Sequence, residues 1–257
     1  MVALNTPELW RTALPRPNHQ EHKYHRGHTA ILGSNDYTGA TRLAAQACSR
    51  IGSGLVSVLN KDQANVYRAT LPADIMVSEQ NLSTLNRPNV LLAGPGGCND
   101  MQAETVRGCS NDMTLILDAN AIRLWPDLHG YETVLTPHEG EFDRYFEATS
   151  GSRSETVLSA AKACGHVLVL KGPETLIAGP NGRLVVNQVA SPYLAKAGTG
   201  DVLAGMIAGL AAQGMSPFKA ACAGVWLHGR AGQLIGPGLL PQDIQAELSK
   251  LLKSVLA

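Results

Sequence analysis

The sequence predicts an α/β domain with a mostly parallel central sheet and helices on both of its faces. Three observations carry that prediction. Short apolar runs of strand length recur along the chain, segments with helical spacing separate them, and the last third, from Asp201 onward, is mostly helical. With 257 residues and no internal repeat, low-complexity tract or linker, the chain reads as one large domain.

The elements follow in chain order. From Leu4 to Arg26 the sequence is polar, carries Pro7, Pro15 and Pro17, and shows little periodicity. Residues 1–22 are therefore read as an arm and 23–257 as the domain. The apolar runs Thr29–Leu32, Gly54–Leu59, Val90–Ala93, Thr114–Leu117, Thr133–Leu135 and Val167–Leu170 read as buried strands. A further pair, Thr175–Ala178 and Leu184–Val186, flanks the hairpin turn Gly179-Pro180-Asn181-Gly182. Helical spacing marks Ala40–Arg50, Met101–Gly108, Ser154–Cys164 and Val202–Gln213.

Composition narrows the partners. The 21 basic and 21 acidic residues cancel, so there is no electrostatic reason to expect nucleic acid or an anionic membrane. Any phosphate must be held by local geometry. The five cysteines (Cys48, Cys98, Cys109, Cys164, Cys222) are scattered and form no C-x-x-C pair, which fits a reducing cytoplasm better than a disulfide framework. Met1 to Arg16 lacks the apolar segment of a signal peptide, and no run approaches the roughly 18 apolar residues of a membrane span. A soluble cytoplasmic protein is expected.

The most informative segment is Ala195-Lys196-Ala197-Gly198-Thr199-Gly200-Asp201-Val202-Leu203-Ala204-Gly205. Two glycines allow a tight turn and an apolar helix follows at once. The free N–H groups at its start, with the helix dipole, make an anion site. Asp201 in the first turn would repel a passively held phosphate. It makes sense as a base that takes a proton from a hydroxyl attacking a phosphoryl group. The plainer reading is a helix cap. Ala204, Gly205, Ala208, Gly209 and Ala212 imply that this helix packs closely against its neighbours.

Other segments admit two readings each. Gly33 to Ala40, between a strand and a helix, could wrap a phosphate or ribose, or be a simple β–α turn. Gly94-Pro95-Gly96-Gly97 lets a ligand approach the backbone. His138 follows a strand, where open α/β sheets place ligands, yet a lone histidine is commonly structural. Glu139 and Glu141 could hold Mg²⁺ through water or be solvated surface carboxylates. Lys171 supplies a point charge for phosphate or is an exposed turn lysine. Lys196, just before the glycine turn, could add charge. His19, His22, His25 and His28 recur every three residues, but Gly27 and the strand that follows argue against one helical face, so no metal site is assigned to them.

The motifs lie in a characteristic order: Arg26-Gly27-His28, Gly33-Ser34-Asn35-Asp36-Tyr37-Thr38-Gly39-Ala40, Gly94-Pro95-Gly96-Gly97, Leu117-Asp118-Ala119-Asn120-Ala121, Leu135-Thr136-Pro137-His138-Glu139-Gly140-Glu141-Phe142, Leu170-Lys171-Gly172-Pro173-Glu174-Thr175, Gly198-Thr199-Gly200-Asp201 and Trp226-Leu227-His228-Gly229. From Lys23 to Ala246 the chain resembles the ADP-dependent (S)-NAD(P)H-hydrate dehydratase family of the ribokinase-like superfamily. The resemblance implies a three-layer αβα ribokinase-like fold and a metabolite-repair activity. ADP would phosphorylate the ring hydroxyl of hydrated NADH or NADPH (S epimer), and elimination of phosphate would restore NAD(P)H and leave AMP.

By the same resemblance, Asp201 is the catalytic base and a substrate contact, joined by Ala40, Gly96 and His138. Lys171, Gly172, Pro173, Glu174, Thr175, Gly198, Thr199 and Gly200 would bind the nucleotide. Mg²⁺ would accompany the ADP, a homotetramer is implied, and a functional link to a NAD(P)H-hydrate epimerase is expected, either as a separate protein or on a longer chain of which this is a part, since many relatives carry that domain ahead of this one. Two other readings share the same motif: a small-molecule kinase such as hydroxyethylthiazole kinase, and a nucleotide-binding protein without catalysis.

Overall fold

Alternation along each strand builds the fold. In the computed structural model, which describes residues 2–20, 22–147 and 151–256, ten strands form one sheet. They are β1 (Ala3–Leu4), β2 (His28–Leu32), β3 (Leu55–Leu59), β4 (Met76–Ser78), β5 (Val90–Ala93), β6 (Thr114–Leu117), β7 (Thr133–Leu135), β8 (Val167–Leu170), β9 (Thr175–Ala178) and β10 (Leu184–Asn187). Their order across the sheet is β1-β10-β9-β8-β7-β6-β5-β2-β3-β4, and only the β8–β9 and β9–β10 pairs are antiparallel. Met1 and Ala257, the ends of the arm-and-domain division read from the sequence, lie outside the described residues.

Successive side chains point to opposite faces, so each strand except the edge strands β1 and β4 feeds two cores. Ile31, Val58, Val90, Ile116, Val134, Val169 and Ile177 face one helical layer, while Leu32, Leu91, Leu115, Leu117, Leu135, Leu168 and Leu170 face the other. The first layer consists of α1 (Thr38–Ile51), α6 (Thr199–Ala212), α7 (Pro217–Ile235) and α8 (Pro241–Leu256). The second holds α3 (Asp100–Arg107), a 3-10 segment Ala119–Asp127, α4 (Glu139–Tyr145) and α5 (Arg153–Cys164). A short α2 (Ala64–Thr70) lies near β4. The result is the expected three-layer αβα arrangement. Among the described residues, no helix is long and apolar enough to cross a membrane.

The expected strands are present within one or two residues. The sequence reading missed β1, β4, α2 and α4. Each is short, and β1 and β4 are exposed edge strands that offer no apolar run. The eleven residues Val202 to Ala212 of α6 are all buried, so its sequence is apolar all round instead of showing one stripe. Glycines set its distance from α1. A Cβ at Gly209 would lie 2.7 Å from the Cys48 carbonyl oxygen, and one at Gly205 would overlap the Ala44 carbonyl. Replacing Gly205 by alanine therefore forces two helix backbones apart. We expect Gly205→Ala to cost about 1–3 kcal/mol, read as a lower midpoint in urea unfolding, despite alanine's better helix propensity.

Candidate active site

Strand register brings the site together. Ala93 pairs with Leu117, Leu117 with Leu135, and Leu135 with Leu168. The residues that follow, Gly94, Asp118 and Thr136, therefore leave the sheet side by side at the C-terminal ends of parallel strands. One bridge further on, His138 pairs with Lys171. The strand order reverses between β2 and β5, the place where open α/β sheets form ligand crevices, and the Gly33 and Gly94 loops flank it.

Those two loops are locked together. Ser34 Oγ donates to the Gly96 carbonyl at 2.7 Å and Thr41 Oγ1 to the Pro95 carbonyl at 3.0 Å. The amides of Asn60 and Gln102 both donate to the Gly33 carbonyl at 2.7 Å. Gly96 has φ of 87°, and a Cβ there would sit 2.6 Å from the Tyr37 carbonyl oxygen, so only glycine lets the loops cross. Ala40 N–H donates to that same Tyr37 carbonyl at 3.1 Å. Ala40 and Gly96, assigned separately from the sequence, thus meet on one carbonyl.

The charged centre joins β6, β8 and α6. Lys171 Nζ donates to Asp118 Oδ1 at 2.8 Å, and Thr136 Oγ1 donates to the same oxygen at 2.6 Å. The ammonium also lies 3.6 Å from where a Cβ on Gly200 would stand, at the first turn of α6. Sequence reasoning assigned no role to Asp118, although its motif was visible. The backbone behind it is strained: Ala119 takes φ of 49°, and the next side chain, Asn120, holds both the N–H and carbonyl of Cys98.

At the start of α6, no protein acceptor among the described residues takes the N–H groups of Gly198, Gly200 or Asp201. Thr199 differs from expectation: its N–H points to the Lys196 carbonyl at 3.3 Å, and its hydroxyl lies 2.7 Å from the Leu194 carbonyl. The open donors are therefore Gly198, Gly200 and Asp201. The N-cap position belongs to Gly198, so Asp201 stands inside the first turn instead of occupying the cap. Lys196 is exposed and its side chain has no hydrogen bond or ion pair among the described residues.

Beside this turn opens a largely apolar cleft of about 660 Å³. Lys171, Gly172, Pro173, Thr175, Thr199 and Gly200 line it. Glu174 does not; its carboxylate accepts from Gln188 Nε2 at 3.2 Å. Asn187, Val189, Ala190, Leu203, Val225 and His228 are among the other lining residues and were not assigned from the sequence. His228, in the motif Trp226-Leu227-His228-Gly229, was the one available signal. Its Nε2 lies 2.9 Å from the Thr199 carbonyl, which only accepts, so the imidazole is a donor there. Burial drives its pKa down to about 4, with the Thr199 bond opposing and Lys171 adding to the fall. His228 is a neutral pin on the first turn of α6.

His138 caps α4: its Nδ1 accepts from Glu141 N–H at 3.2 Å, and Glu141 Oε2 accepts from His138 N–H at 2.9 Å. Glu139 is ion-paired with Arg153 and stands 3.8 Å from a Cβ position on Gly172. Among the described residues, no three metal-ligating side chains converge. Of the histidine run, His22 and His25 stack on each other, while His28 lies in β2 between the Asn86 carbonyl and Ser57 Oγ.

Burial, then the charge of Asp118, push the Asp201 carboxyl up to about 7 against the pull of Lys171. Burial works against the Lys171 charge, but Asp118, Glu141 and Asp201 outweigh it and hold that ammonium above the ordinary lysine range. For Asp201 the folded pKa exceeds the unfolded one, so its contribution to stability is present at low pH and lost as pH rises through about 7. Asp201→Asn should therefore stabilise the protein at pH 8, by ~1–3 kcal/mol. The difference in melting temperature from wild type should close as pH falls toward 4. No gain at pH 8 would mean the carboxylate is well solvated.

Comparison with known proteins shows the family to which the chain belongs. The family model described as NAD(P)H-hydrate dehydratase matches residues 29–251. The chain is 32% identical to the ADP-dependent (S)-NAD(P)H-hydrate dehydratase of Neisseria meningitidis over 89% of this chain and 86% of that one. It also matches bifunctional NAD(P)H-hydrate repair enzymes, of whose length it spans about half. Two crystal structures superpose along nearly the whole chain. One is the ADP/ATP-dependent NAD(P)H-hydrate dehydratase of Bacillus subtilis co-crystallised with ATP and Mg²⁺ (TM-score 0.85, 28% identity, 99% of each chain). The other is a ribokinase-like superfamily protein of Enterococcus faecalis (TM-score 0.88, 25% identity, 99% of this chain and 96% of that one). The chain belongs to the NAD(P)H-hydrate dehydratase family and has its ribokinase-like fold.

Proposed function

We propose that this protein dehydrates the S epimer of hydrated NADH or NADPH at the expense of ADP. The observation that carries the proposal is the Asp201 carboxyl, its pKa pushed up by burial, in the first turn of a helix with three open N–H donors. A hydroxyl on the reduced nicotinamide ring is a poor leaving group. Asp201 takes its proton as the oxygen attacks the terminal phosphorus of ADP, and the bond to the AMP oxygen breaks. The N–H groups of Gly198, Gly200 and Asp201 hold the transferring phosphoryl, and Lys171 neutralises its charge. The ring nitrogen then pushes out phosphate, the neighbouring ring carbon loses a proton, and NAD(P)H, AMP and phosphate remain.

The cleft of about 660 Å³ would take the nucleoside part of ADP, with Lys171 to Thr175 along one side. The hydrate would lie over the crossed Gly33 and Gly94 loops, against Ala40 and Gly96, with His138 at the neighbouring strand end. Because no three side chains form a metal cage among the described residues, the donor set fits a Mg²⁺ carried by nucleotide phosphates and water. Glu139, beside Gly172, and Glu141, whose charge acts on Lys171, would reach it through water. When bound, the ion supplies charge neutralisation at the phosphates. A cytoplasmic homotetramer working after a NAD(P)H-hydrate epimerase belongs to the same reading.

The test is recovery of reduced-nicotinamide absorbance when the protein meets hydrated NADH, Mg²⁺ and ADP, with ATP in parallel. We expect a nucleotide-dependent rise whose rate climbs with pH through about 7, as Asp201 ionises. Asp201→Asn should abolish turnover, by at least about 10³-fold, and keep its ADP affinity. No rise from folded protein would favour a small-molecule kinase, or a silent binder if ADP still binds. Turnover near wild type in Asp201→Asn would remove the base.

A further inference from the structure

The N-terminal segment, read from the sequence only as an arm, reaches the wall of the nucleotide cleft through buried side chains. β1 runs parallel to β10, with Leu4 opposite Val186, and Asn5 N–H donates to the Val186 carbonyl at 2.8 Å. Asn5 is 3% exposed, Trp10 is fully buried, and Asn187, the last residue of β10, is 2% exposed. Trp10 Nε1 donates to Asn5 Oδ1 at 3.2 Å. Asn5 Nδ2 donates to Asn187 Oδ1 at 2.9 Å and to the Cys222 carbonyl of α7 at 2.8 Å. Asn187 Nδ2 donates in turn to the Val189 carbonyl at 2.7 Å.

This chain has one polarity. An indole N–H only donates and a backbone carbonyl only accepts, so the groups at its ends fix the orientation of both asparagine amides. Turning either amide over would leave two buried groups without partners, each costly in a dry site. At the far end, Val189 is held from both sides. Its carbonyl faces Gly229, where any side chain would overlap it, and the next carbonyl, that of Ala190, accepts from Gln233 Nε2 at 3.1 Å. Asn187, Val189 and Ala190 all line the cleft.

We infer that Asn5 is a positioning residue for nucleotide binding: through Asn187 it fixes the Val189–Ala190 wall of the cleft, and Trp10 holds Asn5 in place. The inference rests on the reading of that cleft as the nucleotide site. It requires no contact between the arm and the ligand, and none of the predicted motifs includes Asn5. Serine or alanine could not serve at position 5, because one side chain must accept from an indole and donate to two oxygens.

The test is calorimetric titration of the full chain with ADP and Mg²⁺. Asn5→Ala should weaken ADP affinity about tenfold and speed amide exchange at Val189–Ser191. In turnover it should raise KM for ADP while leaving kcat within about twofold. Val56→Ala, a buried change in β3 on the far side of β2 from the cleft, should leave ADP affinity unaltered and controls for general destabilisation. If Asn5→Ala does not fold, Trp10→Phe removes the donor to Asn5 together with part of the buried ring that packs near Trp226, and should weaken ADP binding about threefold. Wild-type affinity in the folded Asn5 variant, or in Trp10→Phe where only that variant folds, would overturn the inference, as would an equal loss in Val56→Ala. Absence of ADP binding by the wild type would instead overturn the nucleotide reading of the cleft, and this inference with it.

Discussion

The site depends on a half-buried carboxylate next to a helix end built for anions. Asp201 stands in the first turn of α6, where unpaired N–H groups favour negative charge, yet burial and Asp118 both oppose its ionisation. Lys171 resolves the conflict. Its ammonium is tied to Asp118, adjoins the Gly200 turn, and is attracted by Asp201 and Glu141. A base in that setting ionises near neutrality and gains proton affinity whenever negative charge increases nearby, as it does when a phosphoryl group arrives.

The rest of the fold holds those groups together, with Lys171 and Asp118 within hydrogen-bonding distance and Asp201 acting on them through its charge. Parallel register puts Asp118 next to Thr136, and the continuation of β7 and β8 carries Lys171 to the same height. The left-handed turn at Ala119 gives Asp118 to the ion pair and Asn120 to the Cys98 loop. Such a conformation costs of order 1 kcal/mol and persists where the surroundings over-determine it. Behind α6, Gly205 and Gly209 allow close contact with α1, and His228 pins the Thr199 carbonyl. The base therefore stands at the start of a helix that is buried from Val202 to Ala212.

Much of this was legible in the chain. The long apolar strands are visible because both of their faces are buried, and the Gly-Thr-Gly-Asp turn announces itself through glycine and a misplaced carboxylate. Edge elements were not legible: β4 exposes Met76, and β1 exposes both of its residues, so neither carries a pattern. The cleft was half legible. Lys171 to Thr175 form a continuous motif, whereas Asn187, Val189, Leu203 and Val225 are ordinary residues on three separate elements that only tertiary closure brings together. The same holds for Asn5, whose partner stands 182 positions away. The Thr199 N–H could not be told from its neighbours because helix-start donors look equivalent in sequence, while the local turn directs this one to the Lys196 carbonyl.

The most direct measurement is the titration of the Asp201 carboxyl itself, by infrared difference spectroscopy of wild type against Asp201→Asn. Asp118→Asn provides the second comparison. The account predicts a carboxylic acid signal that disappears with a midpoint near 7 in the wild type. In Asp118→Asn the midpoint should fall, because an opposing charge is gone and Lys171 is free to turn to Asp201. A midpoint in the ordinary aspartate range of about 4, unmoved by Asp118→Asn, would contradict it: Asp201 would then be a solvated carboxylate at a helix start, and the coupling of Asp118, Lys171 and Asp201 would have no part in the chemistry.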